Sequence, residues 1–197
     1  MSHNLYTDET PADVKNAKGL HLITQNTPNG QAVQIFLEEL KDAYGTEWTT
    51  TIIDISTNEQ KKDWFLRLDP NGKHDHCFWH GSGAPYQGQV NHFSRAAPEK
   101  IPYAITRFRN ETLRVFGVLE IHLSGKYTGE PREYLAGKGK GKYSVADVKT
   151  WPWVKNWERS GFTKEEVEPF PHLLKWIDRI AERPAVQRGM GEAYNKK

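Results

Sequence analysis

Three groups of residues in this chain have types and spacings that can do chemistry. The first is Thr27-Pro28-Asn29-Gly30, set between a short apolar run and a helix-like stripe. A helix N-terminus offers N–H groups without intrahelical partners and the positive end of a dipole, so it binds anions and can lower a thiol pKa. The Asn29 amide and the Thr27 hydroxyl can each donate to a thiolate held there. The plain reading of the same four residues is a strand-to-helix turn. The second group is His74, His76, Cys77 and His80. These are zinc-type ligands, and His76 and His80, four apart, would share a helix face. No second ligand cluster accompanies them, so loop histidines beside an incidental thiol is the plain reading, and no metal is expected. The third is Arg107, four residues before Glu111. It either makes an exposed ion pair along a helix, worth a few tenths of a kcal/mol, or clamps a substrate carboxylate with its planar fork.

The elements that must hold these groups change character along the chain. Residues 1–18 read as a loose polar tail. Leu20 to Thr24 is a short apolar strand, and Val33, Phe36, Leu37, Leu40 and Tyr44 recur at helical spacing until Gly45 ends the helix. Trp48 to Ile55, rich in Thr and Ile, is a second strand. Lys61 to Leu68 is a short helix stopped by Asp69-Pro70-Asn71-Gly72. Two strands joined through such a helix are parallel neighbours. A lone parallel pair is a poor sheet with two unpaired edges, so the pattern sets up a larger sheet than it supplies.

After Cys77 every long periodic segment is helical. Gly81 to Pro85 reads as a loop or kink, Tyr86 to Phe93 as a polar helix, and Ile101 to Leu123 as one long helix that starts near Pro98 and Pro102. The alternating Gly-Lys run at 137–142 lacks the closing Gly-Lys-Ser/Thr of a phosphate loop and reads as a mobile basic hairpin. Ser144 and Asp147 have capping-box spacing before a helix bearing Trp151 and Trp153, with Pro152 inside it. Leu173, Trp176, Ile177 and Ile180 mark a last helix, stopped near Arg183-Pro184.

Composition narrows the function classes. The 7 Trp, 8 Tyr and 8 Phe supply the burial that disordered chains lack. With 27 basic and 25 acidic residues the net charge is only +2, which gives no global electrostatic case for nucleic acid or an anionic membrane. A single cysteine excludes an internal disulfide framework and fits a reducing compartment. Asp8, Glu9 and Asp13 make residues 1–19 neither a secretory signal nor a transit peptide, and no apolar run reaches membrane-spanning length. A cytoplasmic location is expected.

Longer motifs then become specific. Thr27-Pro28-Asn29-Gly30, the run Tyr86-Gln87-Gly88-Gln89-Val90-Asn91-His92-Phe93, the segment from Ala97 to Ile105 with Arg107, Tyr143 to Asp147, Trp151-Pro152-Trp153-Val154 and Arg183-Pro184-Ala185-Val186 resemble the glutathione S-transferases. The branch is the one that groups fungal nitrogen-regulator/prion-like transferases with bacterial nu-class disulfide-bond oxidoreductases. The resemblance runs from about Leu20 to Met190 and includes the mid-helix Pro152, awkward on pattern alone. It implies an α+β protein: a thioredoxin-like N-terminal unit, here β-α-β-α and truncated, followed by an all-helical C-terminal domain. The expected divisions are 1–18, 19–76 and 77–197. It also implies glutathione as co-substrate, a homodimer, and thiolate attack on a small electrophile or disulfide. By the same resemblance Asn29 and Thr27 lie at the glutathione sulfur, while Gln60, Lys73 and Arg107 contact the tripeptide.

The departure from the family pattern is large. After Lys73 the family continues with an apolar-Pro segment, two antiparallel strands and a Glu-Ser pair at a helix start. Here Lys73 meets His74-Asp75-His76-Cys77, and Phe78-Trp79-His80-Gly81 already resembles the end of the family's fourth helix. Two strands, a helix and most of another come to about fifty residues at ordinary element lengths. The expectation is a transferase-like protein with an impaired glutathione site. Its roles would be those of the family, detoxification or fungal secondary metabolism. Two other readings stand beside it: a non-catalytic regulatory or assembly protein, and a zinc-binding adaptor through the His/Cys seam.

Overall fold

The structure, a computed structural model, describes residues 6–68, 78–126 and 129–195, excepting the side chains of Phe78, His80 and Ser82. It divides into two compact units, Met1–Asp75 with Pro184–Lys197, and His76–Arg183.

In the first unit, β1 (His21–Thr24) and β2 (Thr49–Ile52) pair in parallel, with His21 opposite Thr49 and Thr24 opposite Ile52. They form the one sheet among the described residues. β2 stops short of the Ile55 expected from its composition. The Asp54 carboxylate accepts the Ser56 N–H at 2.9 Å and starts a 3-10 turn, Ile55–Thr57, instead. Between the strands runs α2 (Pro28–Tyr44), with a proline in its first turn and a left-handed Gly45, φ 67°, at its C-cap.

Alternation along the strands makes two faces. Leu22 packs with Leu37 and Tyr194, and Ile52 joins them. Ile53 and Ile23 pack on the other side with Val14 and Trp64. Val14 lies on α1 (Ala12–Lys15) and Trp64 on α3 (Asp63–Leu68). The segment expected as a loose tail is therefore partly built into the core. Val14 is buried there, and Asp13 accepts a hydrogen bond from the Thr51 hydroxyl.

The end of the chain belongs to this unit as well. α9 (Pro184–Gly189) lies against α2 so closely that a Cβ on Gly189 would sit 2.9 Å from Ile35 Cα. Arg188 donates to Glu38 at 2.8 Å and Asp42 at 2.6 Å, and the Tyr194 hydroxyl donates to Glu38 at 3.0 Å. Burial, reinforced by that bond to Glu38, pushes the Tyr194 phenol well above its ordinary range. Coverage by both sheet and α9 explains why α2 buries Gln31, Ala32, Gln34, Ile35, Leu37 and Glu38, while Phe36 and Tyr44 of the expected stripe are exposed.

The second unit is helical: α4 (Phe78–Asn91), α5 (Pro102–Leu123), α6 (Val145–Val154), α7 (Lys164–Val167) and α8 (Pro171–Ala181). A π-helical turn, His92–Ala96, follows α4. Gly81 to Pro85 is neither loop nor break but lies inside α4. Glycine at 83 lets the Trp79 indole fold over the helix, since a Cβ there would lie 2.4 Å from its ring. Trp79 then stacks on Phe116 of α5, centroids 6.3 Å apart.

Polar contacts pin the helix ends. The Glu120 carboxylate accepts the N–H groups of His172 and Leu173, both at 2.9 Å, at the start of α8. Arg109 Nη2 donates to both Glu166 carboxylate oxygens, at 2.8 and 2.7 Å, and its Nη1 donates to the Gly161 carbonyl at 2.9 Å. The Gly-Lys run closes as a hairpin through an Ala136–Lys142 bridge, with Arg132 donating to the Gly137 and Gly139 carbonyls at 2.6 and 2.9 Å.

Lys155 follows α6, its ammonium 4.9 Å from the Trp151 ring centroid. Burial pushes its pKa down to about 8, although the indole face opposes part of that drop. Between that value and the ordinary lysine pKa, the unfolded chain holds a proton that the folded chain does not. Stability therefore rises with pH across that interval. Lys155→Met should raise the melting temperature at pH 7, and the gain should shrink as pH climbs from 8 toward about 10.5. A gain that stays constant across a pH series of thermal melts would contradict this assignment.

Candidate functional site

The Thr27–Gly30 turn leaves the C-terminal end of β1 and opens α2. Because β2 runs parallel, the segment that follows it reaches the same edge of the sheet, where ligands of open α/β sheets are bound. Two bonds tie the segments together: Ile53 N–H to the Thr24 carbonyl at 2.9 Å, and Ile55 N–H to Gln25 Oε1 at 2.9 Å.

The turn is built on one carbonyl. Gln25 O accepts the Thr27 N–H at 2.7 Å. Thr27, extended at φ −107° and ψ 164°, then caps α2 by accepting the Gly30 N–H on Oγ1 at 3.2 Å. Gly30 presses against the same carbonyl. A Cβ there would stand 1.9 Å from Gln25 O and 2.8 Å from Thr24 Oγ1, so no other residue fits without displacing backbone. Asn29, in the first turn of α2, is exposed at the positive end of the helix.

Gln60 lies in the 3-10 turn Glu59–Lys61 beyond β2. Left-handed Asn58, φ 59°, bends the chain into that turn. The Gln60 Oε1 is buried and has no hydrogen-bond partner among the described residues. A buried carbonyl oxygen left unpaired costs about 1–3 kcal/mol, which makes this carboxamide a fit for a donor supplied from outside the protein.

Of the five residues assigned from sequence, Thr27, Asn29 and Gln60 thus follow the C-terminal ends of two adjacent strands. Lys73 lies outside the described residues, as do His74, His76 and Cys77. Arg107 is exposed on α5 of the second unit and makes no ion pair among the described residues. The ion pair with Glu111, one of the two readings of Arg107, is not the contact formed. Glu111 takes the guanidinium of Arg114, three residues on, at 2.6 and 3.0 Å. Arg114 engages both carboxylate oxygens with its fork, and its hydrogen bonds hold the Glu111 carboxyl below the usual range. Among the described residues no group of three or more His, Cys, Asp or Glu side chains is placed to hold a metal.

Beneath the turn lie polar residues that pattern reading passes over. Gln34, fully buried, donates to Thr24 Oγ1 at 3.2 Å. Gln31 donates to Asn26 Oδ1 at 2.7 Å, and Asn26 donates in turn to Asn195 Oδ1 at 2.6 Å. Two glutamines three apart on the buried side of a helix are the only sign of this layer in the sequence.

A family model described as the glutathione S-transferase C-terminal domain matches residues 92–188. A crystal structure of a glutathione transferase homolog from Lodderomyces elongisporus, with two GSH per subunit, superposes with a TM-score of 0.72 at 30% identity, covering 88% of this chain and 98% of that one. The chain belongs to the glutathione S-transferase family. Among curated transferase-family relatives, the disulfide-bond oxidoreductase YfcG of Escherichia coli (strain K12) is 29% identical, with 85% of this chain and 92% of that protein aligned. The glutathione S-transferase-like protein tpcF of Aspergillus fumigatus is 38% identical over 59% of this chain and 53% of its own length.

The alignments also measure how this transferase-family chain departs from its relatives. The one with YfcG runs over 214 positions but takes in 85% of 197 residues, about 167, so about 47 positions fall opposite gaps in this chain. The shorter one with tpcF runs over 125 positions and takes in 59%, about 116, leaving about 9. The long comparison thus carries the larger gap, in keeping with a thioredoxin-like unit that has two parallel strands among its described residues. Among the described residues no helix is long and apolar enough to cross a membrane.

Proposed function

We propose that this chain performs glutathione-dependent thiol chemistry on a small disulfide or electrophile, and that it binds glutathione weakly. The observation that carries the first half is the capped Thr27–Gly30 turn, at the N-terminus of the 17-residue α2 and at the C-terminal edge of the parallel pair. An anion placed there meets the positive helix end, the Thr27 hydroxyl and the Asn29 amide, which favours glutathione as thiolate. The thiol proton goes to solvent. The thiolate sulfur then attacks one sulfur of a disulfide, forming a mixed disulfide while the other sulfur leaves as a thiolate. Gln60 accepts a hydrogen bond from the tripeptide, and Lys73 and Arg107 keep the roles as glutathione contacts that the family resemblance gives them. The names of YfcG and of a second relative, YghU, both disulfide-bond oxidoreductases, favour disulfides over conjugation as the reaction. Assembly as a homodimer and a cytoplasmic location belong to the same proposal.

The second half follows from what is missing after Lys73. The apolar-Pro segment and the Glu-Ser pair supply backbone and charge-assisted bonds to glutathione, each worth about 1–3 kcal/mol, so the loss of several weakens binding by orders of magnitude. Isothermal titration with glutathione should give a Kd in the millimolar range or weaker, accompanied by slow glutathione-dependent reduction of a small disulfide. Micromolar affinity would overturn the weak-binding claim. A complete lack of glutathione-dependent turnover would overturn the chemistry.

A further inference from the structure

Gln34 is fully buried, yet its carboxamide makes a single hydrogen bond, to Thr24 Oγ1 at 3.2 Å, and its Oε1 has no partner among the described residues. Leaving that oxygen unpaired is a standing cost to the fold, and an apolar side chain of similar volume would not incur it. What the glutamine obtains in return is orientation of its neighbour. Thr24, itself 5% exposed, passes its hydroxyl hydrogen to Gln25 O at 3.4 Å. That oxygen is the one that accepts Thr27 N–H at 2.7 Å and that Gly30 presses against. A chain of contacts thus runs from Gln34 through the Thr24 hydroxyl to the carbonyl on which the whole turn is set.

We infer that Gln34 and Thr24 are positioning residues: they fix the peptide of Gln25, and through it the placement of Thr27 and Asn29 against the glutathione thiolate. This rests on the function proposed above for the turn. The acting groups are the Gln34 carboxamide and the Thr24 hydroxyl, neither of which touches the thiolate. Removing either should leave the unit folded but let the Gln25 peptide rotate, so that the Thr27 cap and the first turn of α2 open more often. A stability role alone predicts the opposite for Gln34. Exchanging a half-satisfied buried amide for methionine should leave the melting temperature unchanged or raise it.

The test compares Thr24→Val, Thr24→Ser and Gln34→Met with the unaltered chain. Two readouts are used: amide hydrogen exchange of Thr27, Gly30 and Gln31 without glutathione, and the pH profile of kcat/KM for glutathione-dependent reduction of 2-hydroxyethyl disulfide. Thr24→Val and Gln34→Met should speed exchange about 2–13-fold, the equivalent of one hydrogen bond. They should also displace the thiolate limb of the profile to higher pH. Thr24→Ser, which keeps the hydroxyl, should retain both wild-type values. Wild-type exchange and profile in Thr24→Val and Gln34→Met would overturn the inference, as would a Thr24→Ser chain as impaired as Thr24→Val. If the unaltered chain shows no glutathione turnover, the proposed function fails and the exchange comparison alone decides the positioning. Should Thr24→Val not fold, Gln34→Met carries the test, because it removes only the carboxamide that orients the Thr24 hydroxyl and puts an apolar side chain of similar volume in its place.

Discussion

Gly30→Ala should destabilise the first unit by about 2–3 kcal/mol and remove whatever glutathione binding the unaltered chain has. Helix propensity alone argues the other way, since exchanging glycine for alanine inside a helix gains about 1 kcal/mol. The geometry decides it. The new methyl carbon would stand 1.9 Å from Gln25 O, far inside contact distance, and that oxygen belongs to backbone held by the Thr27 N–H at 2.7 Å. No flexible side chain can swing aside. Either the turn opens by more than an ångström or α2 shifts along the sheet, and both outcomes undo the Thr27 cap. Gly88→Ala, on α4, is the matched control. Its nearest neighbour outside the helix is the Trp153 ring at 3.9 Å, so propensity should win there and stabilise by about 0.5–1 kcal/mol. Urea denaturation of both variants separates the two effects. A Gly30→Ala chain as stable as the wild type would mean that the turn is not set as described.

The contrast between these two glycines shows how much the sequence could tell. Features whose cause is local were legible in it. The strand-to-helix turn at Thr27–Gly30, the Gly45 stop, the Ser144–Asp147 capping box and the long α5 follow from residue types within a few positions of one another, and all are present. The parallel pairing of β1 and β2 was legible too, because a single helix between two short strands leaves few other arrangements. Features that depend on distant packing were not. Periodicity cannot announce that Arg188 returns to Glu38, 150 positions earlier in the chain, or that Gly30 is required by a carbonyl five residues before it. The Arg107–Glu111 pair failed for a related reason. Spacing at four positions offered one partner, spacing at three offered Arg114 as well, and only the side-chain geometry chose between them. In the candidate site, Thr27 and Asn29 were assigned through motif and helix-end electrostatics. Gln34 and Thr24 behind them were not, because a buried glutamine on a helix reads as surface until its surroundings are known.

Asp147→Ala should cost the second unit about 3–5 kcal/mol, a drop of about 10 °C in melting temperature for a chain of this size. The capping-box reading alone predicts only about 1 kcal/mol. The difference lies in two donors that the box does not include. Asp147 is completely buried, and besides the Ser144 N–H at 3.0 Å and the Ser144 hydroxyl at 3.1 Å, its carboxylate accepts Leu135 N–H and Trp176 Nε1–H, both at 2.9 Å. One side chain therefore joins the start of α6, the chain before the basic hairpin and the centre of α8. Truncation leaves the Leu135 and Trp176 donors without that acceptor, at about 1–3 kcal/mol each, and adds the loss of the cap. Asp147→Asn keeps the shape but turns an N–H₂ group toward one set of donors, so it should fall between alanine and wild type. Ser144→Ala removes the hydroxyl half of the box and leaves the Leu135 and Trp176 bonds intact, so its cost should stay near the 1 kcal/mol of an ordinary cap. Thermal melts followed by near-ultraviolet circular dichroism report directly on the Trp176 environment. Equal losses in Ser144→Ala and Asp147→Ala would show that Asp147 acts as a helix cap and nothing more, whereas a several-fold larger loss in Asp147→Ala would establish it as the polar centre around which the helical unit is assembled.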